Sequence, residues 1–453
     1  MRPRNLAVLL GAGLAFSAAA CGGDPAPASR GAAAPGGEKP VTITVACQPP
    51  RTDQPNRRAW DEDVAEFQRL HPHITVKSTD QQPCYDPKTF APKLAAGTVE
   101  TVFRVPVTDA PDVIRRRQAL DVTPYLGEIK NYGDLPETAT APWTSGGAVY
   151  GVPTSAYAVG LIYNRALFAK AGLDPDSPPR TWDGIRAAAK KISALGPGYV
   201  GYGEYSGQNT GGWHFVQALY GRGGEAVTAD GTKAAFNSPE GRAVLQFLKD
   251  LRWTDDSMGT KLMVGWESLM MAMGSGKVGM MLGAPDAVPD IVTRFKGRME
   301  DYGITTFPEA KATLSGGEGF MINPRATPEE ARAGMKWIDH YWLTPGRGTF
   351  DFERGKAIGN PVGLPVNVVF GDSPSGRELA ELQQRFASLP VRNFASYTEG
   401  AGAIPLKVQP PKAQEIFAVL DVPMSAVLSR RDADIDRLLA DAEAKVNALL
   451  AAG

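Results

Sequence analysis

From residue 41 onward the chain alternates between two hydrophobic periods. Val-Thr-Ile-Thr-Val over 41–45 alternates β-branched side chains and predicts a strand. Residues 59–70 are helical, with Val64 and Phe67 facing inward, and 74–77 (ITVK) predict a second strand. A strand, helix, strand order implies a right-handed parallel crossover. Residues 102–107 (VFRVPV) predict the next strand, followed by a helix ending near Leu120. The near-continuous apolar run 158–163 (AVGLIY) suits a strand buried on both faces. Asn164-Arg165 opens a short helix through Lys170 that stops at Gly172, and Pro178-Pro179 lies in a loop. Thr181 caps an amphipathic helix with Ile185, Ala188, Ala189 and Ile192 at helical spacing. Further strands are predicted at 199–203, 277–282, 302–308 and 316–323. Helices are predicted from Trp213 and over 239–251, 266–276, 327–343, 377–386, 416–428 and 435–450.

The pattern differs before residue 41. Arg2 and Arg4 precede an apolar, small-residue run over 6–20 that is too short to span a bilayer, so residues 1–20 read as a signal peptide. Cys21 follows Ala18-Ala19-Ala20 and resembles a lipobox cysteine, which implies a diacylglycerol anchor, although Ala18 stands where leucine is usual. Plain secretion with an incidental Cys21 is the alternative. Residues 21–40, rich in Gly, Ala, Pro and Ser, read as a flexible tether.

The remaining length fits two domains. The 48 Lys and Arg, less Arg2 and Arg4, leave 46 against 49 acids, or −3. So balanced a charge gives no footprint for nucleic acid and points to small, neutral partners. Cys47 and Cys84 each lie just past the carboxyl end of a predicted strand and face one rim. In an oxidising exterior they are disulfide candidates; two partly buried thiols are the alternative.

Four motifs occur in order over 147–195. They are Gly-x-x-Tyr-Gly-Val-Pro (147–153), Leu-Ile-Tyr-Asn-Arg (161–165), Ala-Gly-Leu-Asp (171–174) and Pro-Pro-x-Thr-Trp-Asp (178–183). Together they resemble the signature of extracytoplasmic solute-binding proteins, family 1, the maltose-binding-protein-like receptors of ABC importers. Helix-Gly-Lys-strand around Lys277 is similar to another family segment. Glu100-Thr101-Val102 departs from the Pro-Asp-Val usual there. The resemblance implies an α/β periplasmic-binding-protein-like fold of two lobes. Each lobe would hold a mostly parallel sheet flanked by helices, and three hinge crossings would join them. Residues 41–155 with 317–357 would form the N-terminal lobe, and 156–316 with 358–453 the C-terminal lobe.

No catalytic nucleophile motif, phosphate-cradling glycine loop or Cys-x-x-Cys pair is present. His71 and His73 flank Pro72 in a turn, His214 and His340 stand alone, and no metal site or cofactor is implied. The methionines at 258, 263, 270, 271, 273, 280 and 281 read as core packing rather than copper ligands. A glycosidase would need two carboxyls roughly 5–10 Å apart, which spacing cannot establish.

Sugar sites combine flat aromatic rings with acids and amides that bind hydroxyls, and ligands of open α/β sheets sit beyond strand carboxyl ends. The candidates on such loops or crossings are Asp53, Asp80, Tyr85, Asp109, Tyr157, Tyr205, Trp213, Trp266, Asp286, Glu318 and Arg354, with Gln208 and Asn209 beside them. Trp182 belongs to the family's helix-start motif and reads as packing. The expected protein is a monomeric, non-enzymatic lipoprotein on the outer face of the cell membrane. It would capture a carbohydrate, an oligosaccharide above all, and pass it to ABC permease subunits. A glycerophosphodiester or polyamine receptor of the same fold, or a secreted carbohydrate-active enzyme, are the alternatives. The phosphodiester would require a base such as Arg354 in the cleft.

Overall fold

The computed structural model describes residues 39–79, 84, 87–365 and 369–452. The signal peptide, the tether before residue 39, Cys21, Asp80 and Tyr85 lie outside them. Twelve strands are introduced in chain order: β1 (Val41–Val45), β2 (Ile74–Ser78), β3 (Val102–Pro106), β4 (Thr144–Ser145), β5 (Ala148–Val149), β6 (Gly151–Ala158), β7 (Gly160–Asn164), β8 (Val200–Tyr202), β9 (Val278–Gly283), β10 (Tyr302–Thr306), β11 (Thr313–Ile322) and β12 (Leu406–Lys407). The first sheet runs β12-β11-β3-β1-β2 with β6 also paired to β11, the second runs β10-β7-β9-β8, and β4-β5 is a small hairpin.

In the first sheet β1 is parallel to β2 and β3, as the crossover pattern predicts. The second sheet mixes directions: β8 and β9 are parallel, but β7 runs antiparallel to both β9 and β10. The parallel pairing expected of that sheet is therefore confined to one edge. The cause is that β7 enters directly from the crossing strand β6, not through a helix that would reset its direction.

Two separate cores follow from two sheets. One surrounds β1–β3 and holds Trp60 and Phe67 of the Gln54–Leu70 helix against Trp337 and Ile338. Trp60, Phe67 and Trp337 meet edge to face at 5.2–5.4 Å, a geometry worth about 0.5–1.5 kcal/mol per pair beyond burial. The other lies on both faces of the second sheet. Leu161 and Tyr163 of β7 point into one cluster and Ile162 into the opposite one, which is why that strand reads as continuously apolar. Met258, Met270, Met273, Met280 and Met281 are buried there, whereas Met271 is exposed.

Caps explain most boundaries. Asn164 accepts from Leu167 N and Thr181 from Gly184 N, opening the Arg165–Lys170 and Trp182–Ser193 helices. The helix expected from Trp213 begins at Thr210, because the Asp421 carboxylate accepts from Asn209 N at 2.6 Å and Gly212 N at 2.8 Å. The helix expected to end near Leu120 stops at Arg115. The one expected to reach Leu343 is α-helical over Pro328–Ile338 and continues as a π-turn, Asp339–Leu343.

β6 and β11 connect the cores. Val152 at the start of β6 and Phe320 and Ile322 at the end of β11 belong to the first core, while Leu314 at the start of β11 belongs to the second. Val369, Phe370 and Leu379 also pack on the first core. Asp134 also fixes Ser375 through its amide and hydroxyl.

Candidate functional site

Halfway along β6 and β11 the polar side chains lie outside both cores, and Tyr157 packs on the edge of the second. Ser155, Tyr157 and Glu318, which share one face of the β6–β11 ladder, remain half-exposed although β11 is paired on both sides, so that face of the crossing is open. The backbone here is specialised. Pairing with β6 shifts register between Glu318 and Gly319, and Gly317 sits at φ +148°, where a Cβ would overlap the Ser155 carbonyl. Gly316 faces Tyr157, and a side chain at 316 would collide with the Tyr157 hydroxyl. The Gly316-Gly317 pair therefore lets the phenol lie across the neighbouring strand.

Arg104 and Glu318 meet on this floor. Arg104 pairs with Phe320 and Glu318 with Pro106 across the antiparallel β3–β11 ladder, so the two lie diagonally on one face. Arg104 Nη2 contacts Glu318 Oε2, with the two side chains 30% and 23% exposed. Burial lowers the Arg104 pKa to about 10, which leaves it cationic at neutral pH.

Asp286 precedes the Ala287–Thr293 helix without capping it by its side chain. Solvent reaches Asp286, yet the protein crowded around it holds its carboxyl above the ordinary range. Burial first, and the Asp286 charge after it, keep the phenols of Tyr157 and Tyr397 protonated. Tyr397 also donates to Ala158 O at 2.5 Å, where the first crossing ends.

Other sequence candidates fall elsewhere. Asp53 caps the Gln54–Leu70 helix and binds Asn56 Nδ2 at 2.8 Å. Asp109 accepts from Thr108 Oγ1 at 3.1 Å at the start of the Ala110–Arg115 helix. Arg354 is drawn away from the crossing. Its Nη2 donates to Asp63 Oδ2 at 2.6 Å and its Nη1 to Ala59 O at 3.2 Å, which lays it on the Gln54–Leu70 helix. Tyr205 is 1% exposed, bridged through its backbone to Met263 and packed at a tilt against His214 with ring centroids 4.5 Å apart, so its ring is packing. Trp213 and Trp266 are half-buried against the two clusters of the second core. Gln208 and Asn209 hold left-handed backbone conformations, and the Asn209 amide is spent on Asp421. Cys47 and Cys84 are joined by a disulfide with Cα atoms 4.8 Å apart. Among the described residues no group of three or more His, Cys, Asp or Glu could hold a metal ion.

Thus Tyr157 stands opposite Gly316 on the strand that carries Glu318, the Asp286 charge reaches Tyr157, and the chain adds Arg104 and Tyr397. Arg104 had a sequence signal, a lone cation inside an apolar strand. Tyr397 had none, lying 239 residues from Ala158, its partner on β6.

Two sheets, two cores and a pair of glycine-bearing crossing strands beneath an open polar floor describe a bilobal binder. The sequence model of the bacterial extracellular solute-binding proteins matches residues 52–342, well over half of the chain. The chain belongs to that family. A Brucella abortus chain described only as a binding protein is 26% identical over 328 residues, spanning 70% of this solute-binding protein and 72% of that one. Among solved structures, the cyclic α-maltosyl-1,6-maltose binding protein of Arthrobacter globiformis superposes with a TM-score of 0.71. It is 24% identical and covers 91% of this chain and 100% of that one. UgpB from Mycobacterium tuberculosis, in complex with glycerophosphocholine, gives 0.67 at 17% identity over 91% and 98%. These likenesses carry the two-lobed α/β fold. Family membership places the solute-binding protein outside the cytoplasm, and no described helix is long and apolar enough to cross a membrane.

Proposed function

We propose that this solute-binding protein is the receptor of an ABC importer and captures a carbohydrate, an oligosaccharide above all, between its lobes. The observation that carries the reading is the half-open floor of the crossing. A flat phenol (Tyr157) lies beside a carboxylate (Asp286) and an arginine–carboxylate pair (Arg104, Glu318). A ring matches the apolar face of a sugar, and charged groups form the stronger hydrogen bonds with its hydroxyls. The sugar-binding Arthrobacter structure supports this reading, and the glycerophosphocholine complex supports the phosphodiester alternative. The carbohydrate is favoured because Arg104 is already balanced by Glu318, and Arg354 is spent on Asp63.

The lobes would comprise 41–155 with 317–357 and the 369–385 segment, and 156–316 with the remaining C-terminal residues. A ligand touching both lobes binds the closed form more tightly and so shifts its population towards closure. Cys21 would carry the lipid that holds this monomeric receptor beside its permease. Binding alone suffices, without covalent chemistry.

A thermal-shift series on the full chain with maltose, α-D-tagatose, ribitol and glycerophosphocholine tests the reading. A ligand that binds only the folded state raises the melting temperature with the logarithm of its concentration over Kd. A shift with a saccharide or polyol is the expected result. A shift with glycerophosphocholine alone would transfer the assignment to phosphodiesters.

A further inference from the structure

We infer that the Arg104–Glu318 pair is the element of the site that reads two adjacent hydroxyls and turns phosphate esters away. The inference rests on the carbohydrate reading and names the ligand feature that the crossing selects.

The pair has hydrogen-bonding capacity left over. A guanidinium offers five N–H donors in a fixed fork. Arg104 spends Nη2 on Glu318, its Nη1 makes no bond among the described residues, and its Nε is buried without a hydrogen-bond partner. Glu318 uses Oε2, and its other oxygen takes no bond among the described residues. An unspent donor and an unspent acceptor therefore sit side by side on one face of β3 and β11. Ser155, the cross-strand partner of Glu318 on β6, adds a half-exposed hydroxyl beside them.

A hydroxyl both donates and accepts. Of two hydroxyls on neighbouring carbons, one can accept from the guanidinium while the other donates to the carboxylate, and both bonds are charge-assisted. The Arg104–Glu318 pair carries no net charge, so a neutral diol closes over it without bringing an unbalanced ion into the cleft. A phosphate ester would have to compete with Glu318 for the same guanidinium. It would also place its own negative charge beside the Glu318 carboxylate, where burial weakens screening.

Arg354 makes the contrast within the same chain. It contacts Asp63, Glu62 and Asp351 as well as the Ala59 carbonyl, and so has little capacity left for a ligand.

Calorimetric titration of the full chain, as wild type, Arg104→Met, Arg104→Lys and Glu318→Gln, tests the assignment with maltose, α-D-tagatose, ribitol and glycerophosphocholine. For whichever polyhydroxy probe binds the wild type, Arg104→Met should weaken affinity about 30-fold and Arg104→Lys about 10-fold, since lysine keeps the charge and loses the fork. Glu318→Gln should weaken the polyol about 10-fold and strengthen glycerophosphocholine by a similar factor, by removing the repelling charge. A monodeoxy form of the bound polyol, lacking one hydroxyl of the diol, should lose affinity on the wild type and lose no more on Arg104→Met. A role in folding alone would not produce that coupling. The ligand-free melting curve of each variant separates misfolding from lost contacts, and Arg104→Lys serves if Arg104→Met does not fold. A polyol held within twofold by both Arg104 variants would overturn the inference and leave the carbohydrate reading standing. No binding of any polyol by the wild type would sink both. A Glu318→Gln variant that still rejects glycerophosphocholine would overturn the charge-exclusion half.

Discussion

Two arginine–carboxylate pairs in this protein share their chemistry and differ in what surrounds them. Arg354 and Asp63 meet at 2.6 Å with side chains 22% and 6% exposed, and the guanidinium also contacts Ala59 O, Asp351 and Glu62. Its capacity is nearly consumed, and it fastens the Phe352–Ala357 helix to the Gln54–Leu70 helix. Arg104 and Glu318 are more open, and they keep an unpartnered nitrogen and a spare oxygen. An ion pair of the first kind is structure, and one of the second kind keeps the capacity to take a ligand. What separates them is residual hydrogen-bonding capacity, since a charged group with nothing left to donate can recognise nothing further.

The sharpest way to break that contrast is to remove each arginine in turn. Arg354→Met leaves Asp63 buried without its partner and is expected to lower unfolding free energy by about 3–5 kcal/mol. It should leave ligand affinity within about twofold. Urea denaturation and calorimetry read the two quantities side by side. Arg104→Met should show the reverse, with about 1 kcal/mol or less of stability lost and the affinity loss described above. Equal stability costs from the two variants would erase the distinction.

A second prediction concerns the backbone that presents Glu318. Gly317→Val forces a β-branched residue to φ +148° and against the Ser155 carbonyl. The strain should cost about 1–3 kcal/mol. Because it displaces the bulge beside Glu318, saccharide affinity should fall along with stability. A valine variant that binds normally would show that the crossing need not hold this shape.

The smallest effect belongs to the Arg354 side of the comparison and sharpens its electrostatics. Burial outweighs Arg354 and raises the Asp63 pKa from 3.8 to about 6. Folded Asp63 therefore keeps a proton that the unfolded chain has released, and the stability this gives is lost as pH rises through about 6. Nearby, burial and then Arg347 lower the His340 pKa from 6.5 to about 4, with Glu66 opposing them and His71 adding to them. Folded His340 lacks a proton that the unfolded chain takes up, so its contribution is lost as pH falls below 6.5. Between pH 4 and 6 the two slopes oppose each other. His340→Gln should expose a stability that declines with rising pH, and Asp63→Asn one that declines with falling pH, both by urea denaturation. Two variants with parallel profiles would refute the assignment.

Arg354 also shows where sequence reading stops. Its place near the last crossing made it a candidate base for the cleft, but the pattern could not reveal that a short helix folds it back onto Asp63. Tyr205 was placed at a strand end, where it stands, yet its backbone bridge to Met263 buries the ring. Arg104 was legible as a cation in an apolar strand. Its partner could not be read, because register across an antiparallel ladder is not written in either strand alone.

The sequence by itself determined the family, through four motifs in order, and most of the elements, through periodicity and the caps at Asn164 and Thr181. These are local properties, decided within one or two turns of chain. The tertiary structure alone decided which arginine faces the crossing, that β7 runs against its neighbours, and that Tyr397 lies beside Tyr157 and Asp286. Each depends on residues brought together from far apart in the chain, and residual hydrogen-bonding capacity exists only once those partners are in place.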